Sequence, residues 1–195
     1  MSADAIVQSV RERFTRVALG LDAGFGAWTG NRCAEHLGYG DVLDRIPTPA
    51  LEAFVGVGNP VAFAGLAPGE RVLDVGCGGG LDSLVAAMAV SPGGSVVGVD
   101  MTPDMVSRAL QAAKLAGEAT DASFLVANAE DMPFAEDEFD VALSNGCLNL
   151  SPRKRELLSE IWRVLRPGGR LALCDAVLKP EKADEVTAAP DAWSL

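Results

Sequence analysis

The stretch Val72 to Gly80 reads VLDVGCGGG, and no other segment constrains the fold of this chain as tightly. An apolar strand pattern carries Asp74 and then opens into Gly76, Gly78, Gly79 and Gly80 before a helical pattern begins. Glycines at alternate positions let a backbone turn sharply and approach a ligand that faces the N-terminus of the following helix. A second apolar strand, SVVGVD, ends in Asp100, 20 residues beyond Gly80. A carboxylate at the tip of the second strand is placed to accept hydrogen bonds from ribose hydroxyls. The pair of features implies a nucleoside-bearing cofactor.

Spacing narrows which one. Dinucleotide sites favour GxGxxG, with the pyrophosphate on the helix N-terminus. Here the register is GxGGG, and Asp74 stands two residues before the first glycine. A carboxylate there repels a pyrophosphate and suits a ligand with a positive end. S-adenosylmethionine carries both a sulfonium and an ammonium, so it is the expected cofactor. A glycine turn without any ligand is the competing reading of the loop alone.

Beyond about residue 68, strand and helix patterns alternate, as in a parallel sheet covered on both faces. Strands are expected at Arg71–Gly76, Ser95–Asp100, Ser123–Asn128, Asp140–Ser144 and Arg170–Ala176, with helices at Leu81–Ala89, Pro103–Leu115 and Arg153–Leu165. Pro103 suits a first helical turn, and Thr102 before it is a capping candidate. Pro167-Gly168-Gly169 separates the last helix from the fifth strand. Ligands of such sheets bind beyond the carboxyl ends of the strands, where Gly76, Asp100, Asn128 and Asn145 fall.

Taken together, VLDVGCGGG, GVDMTPDMVSRAL, AEDMPF, FDVALSNGCLNLSP and VLRPGGRLAL resemble a class I S-adenosylmethionine-dependent methyltransferase over about Pro60 to Val177. The wording of GVDMTPDM, SNGCLNLSPRK and Gly58-Asn59-Pro60 is similar to the arsenite methyltransferase family. The implied fold is α/β, a Rossmann-like methyltransferase sheet with five recognisable parallel strands and no counterpart of the final two. An N-terminal helical segment, residues 1–67, precedes the cofactor-binding domain, residues 68–195. The resemblance implies that Asn128 meets the adenine amino group and that Ala129 offers its N–H to the ring. It also places Asp82 near the methionine end of the cofactor.

The candidate cofactor set is therefore Asp74, Gly76, Gly78, Gly80, Asp82, Asp100, Met101, Asn128, Ala129 and Asn145. Each has a plainer alternative. Asp100 could cap the next helix, although Thr102 stands nearer that position. Met101 could be core or could cover the adenine face. Asp82 could simply favour the helix dipole. Cys77 reads as a small filler, and Glu130 and Asp131 as solvated loop charges. His36, the only histidine, is a surface or hydrogen-bonded residue on its ordinary reading and a general base on the other. The sulfonium already activates its methyl group, so no single catalytic side chain is demanded.

Composition excludes several classes. The formal net charge is −11, and the basic residues are scattered except for Arg153, Lys154 and Arg155, which read as solvating a helix start. An acidic domain without a basic stripe is poorly suited to a nucleic acid backbone. No secretory leader or membrane-length apolar run is present, so a cytoplasmic protein with no membrane contact is expected. Four cysteines without a CxxC pair argue against structural zinc or a disulfide framework. No metal site is expected.

Arsenite chemistry makes a sharper demand, because a soft trivalent metalloid is held by convergent thiolates. In the resembled family a cysteine follows Ser-Asn of the fourth strand; here Gly146 stands there and the thiol is Cys147. The family's GCGNP reads GVGNP, with Val57 in the cysteine's place, and Cys33 alone represents an N-terminal pair. Cys174 reads as core. Methylation of another small molecule is the leading reading, arsenite the alternative, and a non-catalytic cofactor-binding subunit the second alternative.

At the N-terminus, Ile6, Val10, Phe14, Val17 and Leu21 recur at helical spacing. A glycine-rich loop with Phe25 and Trp28 is expected over Gly20–Gly30, then short helices over Asn31–Leu43 and Pro47–Pro60. This segment reads either as a cap over the cofactor and substrate or as packing on the sheet. After the fifth strand, Leu178–Leu195 shows no further strand pattern, which leaves LALCDAV as an apolar edge. A truncated chain, a separate C-terminal partner or a homodimer pairing through that edge would each account for it.

Overall fold

The computed structural model describes residues 2–21, 29–117 and 120–177. The expected loop at Phe25 and Trp28 and the segment Leu178–Leu195 lie outside the described residues. Five parallel strands, β1 (Arg71–Val75), β2 (Ser95–Asp100), β3 (Ala122–Val126), β4 (Phe139–Asn145) and β5 (Leu165–Cys174), form one sheet in the order β3-β2-β1-β4-β5. Consecutive strands step outward from β1 to β3, and the chain then returns to the other side of β1 for β4. That reversal opens a crevice above the carboxyl ends of β1 and β4.

The central strand explains the two-sided burial. Val72, Leu73 and Val75 are fully buried. Successive side chains of a strand point to opposite faces. Val72 packs with Ala86, Ala87 and Val90 of α4 (Leu81–Val90), whereas Leu73 and Val75 pack with Leu157, Ile161 and Val164 of α6 (Lys154–Val164). Helix α5 (Pro103–Ala116) covers β2 and β3, with Val106 and Ala109 against Phe124.

Helix α1 (Ala3–Ala18) begins at Ser2, whose hydroxyl accepts from the Ala5 N–H at 3.3 Å. It docks on α5 through Thr15 Oγ1, which donates to Asp104 at 3.2 Å, and through Arg108, which donates to the Ala18 carbonyl at 2.7 Å. Val17, Ala18, Ala53 and Met105 form the buried seam, while Leu21 is exposed. The expected helix over Asn31–Leu43 is shorter. Helix α2 (Gly30–Ala34) gives way to a π turn at Glu35–Tyr39 and a 3-10 turn at Gly40–Arg45, because Gly38 adopts φ +89°. Of the expected Pro47–Pro60 helix only α3 (Thr48–Glu52) forms, and Pro60–Ala62 makes a 3-10 turn. Cys33, Tyr39, Leu43 and Phe54 from this region share one buried cluster with Leu81, Leu84 and Ala112.

Four strands depart from their expected bounds, β1 and β4 by no more than one residue at either end and β3 and β5 by more. Strand β3 stops at Val126 rather than Asn128, whose side-chain oxygen turns back to accept from the Glu130 N–H at 3.0 Å. Strand β5 begins at Leu165, and its register on β4 jumps from Phe139↔Leu165 to Val141↔Arg170. Pro167-Gly168-Gly169 therefore sits inside a bulge, with Gly168 at φ +82°. Among the described residues β5 pairs only with β4, and no described helix is long and apolar enough to cross a membrane.

Candidate cofactor and acceptor site

A cavity of about 780 Å³ lies at the carboxyl ends of the strands. Gly76, Gly78, Met101, Asn128 and Ala129 line it, as do Asp82, Asp100 and Asn145. Asp74 and Gly80 are not among its lining residues. Gly80 instead begins α4 at φ +87°, where a Cβ would press on Ala109 and Phe124 at 3.0 Å, so its task is helix packing. Gly78 has φ +51° and nothing within 4 Å of where a Cβ would stand, which leaves its face open to the cavity.

Asp100 organises the glycine loop. Its Oδ2 accepts from the Gly78 N–H at 3.0 Å and its Oδ1 from the Thr102 N–H at 2.8 Å. Thr102 occupies the N-cap position of α5, but its side chain makes no cap bond and bonds Asp100 instead, which corrects the expected helix cap. A carboxylate offers about four acceptor positions, so these donors leave capacity for a ligand hydroxyl. Burial raises the Asp100 pKa, against the opposing pull of its backbone donors.

Asp74 is 1 % exposed and accepts from Ser83 Oγ at 2.5 Å. Burial first and the nearby Asp82 second raise its pKa, so it is a structural hydrogen-bonding group beneath the loop. Asp82 is also buried. It accepts hydrogen bonds from the Tyr39 hydroxyl and, at 2.9 Å, from Asn145 Nδ2. Burial outweighs those bonds and raises its pKa. The side-chain oxygen of Asn145 accepts from the N–H groups of Val57 and Gly58 at 2.9 and 3.0 Å. Its amide group also donates to the Gly58 carbonyl at 2.8 Å. Tyr39, Asp82, Asn145 and the Val57-Gly58 loop thus close one polar network on the cavity wall. Nothing in the sequence signalled the part of Tyr39, which is 43 residues from its partner.

Glu130 departs from its expected place among solvated charges. Its side chain is 7 % exposed, and it accepts from Ser151 Oγ at 2.7 Å and pairs with Arg153 at 2.9 Å. Arg153 reaches on to Asp4 at 3.0 Å, tying the start of α1 to the rim of the cavity. Val7, Val10 and Phe14 of α1 line the same space. His36 lines it from the π turn.

The four thiols do not converge, and no group of three metal-ligating side chains occurs among the described residues. Cys33 donates to the Gly56 carbonyl at 3.6 Å, Cys77 packs with Val106 and Phe124, and Cys174 presses on Gly58. Cys147 faces Gly76, and burial foremost pushes its thiol up to about 12. A Cβ on Gly146 would instead stand 3.6 Å from Val57, so the two positions of interest for a thiol site face each other as apolar groups.

Comparison with known proteins places this geometry. Residues 66–194 match a methyltransferase domain family. An arsenite methyltransferase from Halobacterium salinarum is 39% identical over 201 residues, covering 94% of this chain and 50% of that protein. An arsenite methyltransferase from Aquipseudomonas alcaligenes is 39% identical over 127 residues, covering 62% of this chain and 37% of that one. The chain thus spans half or less of the length of these relatives. Among solved structures, an arsenic (III) S-adenosylmethionine methyltransferase from Chlamydomonas reinhardtii is similar with TM-score 0.67 and 35% identity, over 78% of this chain and 54% of that one. A putative methyltransferase from Bacillus halodurans matches with TM-score 0.58 and 30% identity, over 66% and 54% of the two chains.

Proposed function

Because the chain belongs to the methyltransferase domain family, matched over residues 66–194, we propose that its cavity binds S-adenosylmethionine and serves methyl transfer to a small-molecule acceptor. The observation that carries this reading is Asp100, held by Gly78 N–H at the tip of β2 with acceptor capacity to spare. The open face of Gly78 admits a close ligand, and the Asp100 carboxylate on the cavity lining favours one with a positive end.

When bound, the cofactor supplies an electrophilic methyl group. The remaining work falls on the chain. Asp100 would accept from the ribose, Met101 would cover a face of the base, Asn128 would meet its amino group and Ala129 would offer its N–H to the ring. Asp82 and Asn145 act on the loop that carries Val57. Helix α1 shuts water away from the crevice, and the walls hold an acceptor in line. A proton acceptor is required only for an acceptor that arrives protonated, and no side chain is assigned that role.

Arsenite is the second reading, favoured by the 39% identity to the Halobacterium salinarum enzyme over 94% of this chain. The facing Val57 and Gly146 weigh against it, since neither supplies a thiolate. Calorimetry with S-adenosylmethionine and S-adenosylhomocysteine tests the cofactor. Absence of binding refutes the proposal. Turnover is then measured on pooled thiol, oxygen, nitrogen and metalloid nucleophiles. Binding with no turnover on any of them would favour a non-catalytic subunit. A cytoplasmic location and a second copy pairing along the β5 edge belong to the same proposal. A monomer across a wide concentration range in sedimentation removes the partner.

A further inference from the structure

The wall of the cavity away from the glycine loop contains charges, but the protein itself engages them. Asp175 accepts from the N–H groups of Asn149 and Ala176 at 2.9 and 2.8 Å. Glu130 is held by Ser151 and Arg153. Lys154 donates to the carbonyls of Asn149 and Ser151 at 3.0 and 2.7 Å. Asp82 is taken by Tyr39 and Asn145, and His36 is likewise engaged within the protein. A ligand that relied on an ion pair here would have to displace one of these bonds, leaving a half-buried charge short of partners.

Between these groups the surface is apolar. Helix α1 contributes Val7, Val10 and Phe14, the loop before β1 contributes Val55 and Val57, and the segment after β4 contributes Leu150. Val57 also faces the bare backbone of Gly146. Binding at such a wall is driven by removal of apolar surface from water, and a charge brought against it is penalised by desolvation.

We infer that the acceptor half of this cavity takes an uncharged, predominantly apolar small molecule, held by Val7, Phe14, Val55, Val57 and Leu150 rather than by an ion pair. The inference rests on the proposed placing of S-adenosylmethionine at the glycine loop and Asp100. It names the class of acceptor that the remaining space selects.

The test uses the neutral fluorophore N-phenyl-1-naphthylamine and its sulfonated relative 1-anilinonaphthalene-8-sulfonate, each titrated into protein saturated with S-adenosylhomocysteine. The neutral probe is expected to bind about tenfold or more tighter than the anion. In Val57→Asp and Val7→Asp, its dissociation constant is expected to rise about tenfold, with S-adenosylhomocysteine affinity held within about threefold. Both substituted positions are partly exposed, and the thermal transition is followed alongside as a check of folding. Tighter binding of the sulfonate overturns the inference. So does neutral-probe binding that neither Asp variant weakens while the fold and the S-adenosylhomocysteine affinity persist. Failure of S-adenosylhomocysteine to bind at all overturns the underlying cofactor reading, a separate result from either.

Discussion

Asn145 and Gly58 hold each other in both directions: the Asn145 oxygen accepts from the Gly58 N–H at 3.0 Å, and its Nδ2 donates to the Gly58 carbonyl at 2.8 Å. The residues are 87 apart in the chain. Through this pair the tip of β4 fixes the loop that carries Val57, and the same amide reaches Asp82 on the first turn of α4. Close approach is part of the fit, since a Cβ on Gly56 would lie 2.5 Å from Asn145 Nδ2.

Asn145→Ala removes all of these bonds at once. It is expected to lower stability by about 1–3 kcal/mol, because Asp82 loses a donor and the loop N–H groups lose their acceptor. Denaturant unfolding measures the loss, and hydrogen exchange at Val57 and Gly58 should accelerate. Unchanged exchange at both amides would mean that the loop is held by something else.

Asp100→Ala should weaken S-adenosylhomocysteine binding by about 1.5–3 kcal/mol, the usual cost of losing a hydrogen bond to a charged group. Calorimetry reads it directly. An unchanged dissociation constant removes the ribose assignment.

Burial raises the pKa values of Asp74 and Asp82 above the ordinary carboxylate range. In the unfolded chain both ionise near pH 4, at about 3.9. Above that pH the native state holds protons that the unfolded state has released, so stability falls as pH rises toward the native pKa values. Asp74→Asn keeps an acceptor for Ser83 and removes the titration. Its thermal midpoint should therefore decline less between pH 5 and pH 8 than that of the parent, by about the worth of one buried carboxyl. Parallel curves for the two proteins would contradict this account.

Arg153 joins an exposed partner and a sheltered one. Asp4 is 89% exposed, so Asp4→Ala should change stability by no more than about 1 kcal/mol. Glu130 is 7% exposed, and Arg153→Ala leaves it with Ser151 alone, at an expected cost of about 1–2 kcal/mol. Chemical denaturation of the two variants distinguishes them. Equal losses would place the weight on the α1 contact.

Trivalent arsenic should bind weakly, since Cys33 and Cys77 are buried apart from each other and the Cys147 thiol is pushed up to about 12. Submicromolar arsenite binding that disappears in a Cys33→Ser, Cys147→Ser double variant would reverse that expectation and favour the metalloid reading.

The parallel sheet was legible because its signals are local. Val72–Val75, apolar except for Asp74, and Val96–Val99, apolar except for Gly98, have the near-continuous apolar character that strands buried on both faces require, and the glycines of the loop need only their own backbone angles to be read. The place of Asp100 at the end of β2 was legible for the same reason. The N-terminal segment was not. Gly38 interrupts a helix that spacing alone extends, and the Val57-Gly58 loop takes its conformation from Asn145, a residue 87 or 88 positions away. Asp82 and Asn145 stand out in the sequence as cofactor candidates, but nothing there joins them to each other or to Tyr39. Their shared network, the sheltered Glu130–Arg153 pair and the apolar wall arise only when distant segments meet. Periodicity and turn chemistry are properties of neighbouring residues, whereas burial, and with it the pairing of polar groups, is a property of the packed chain.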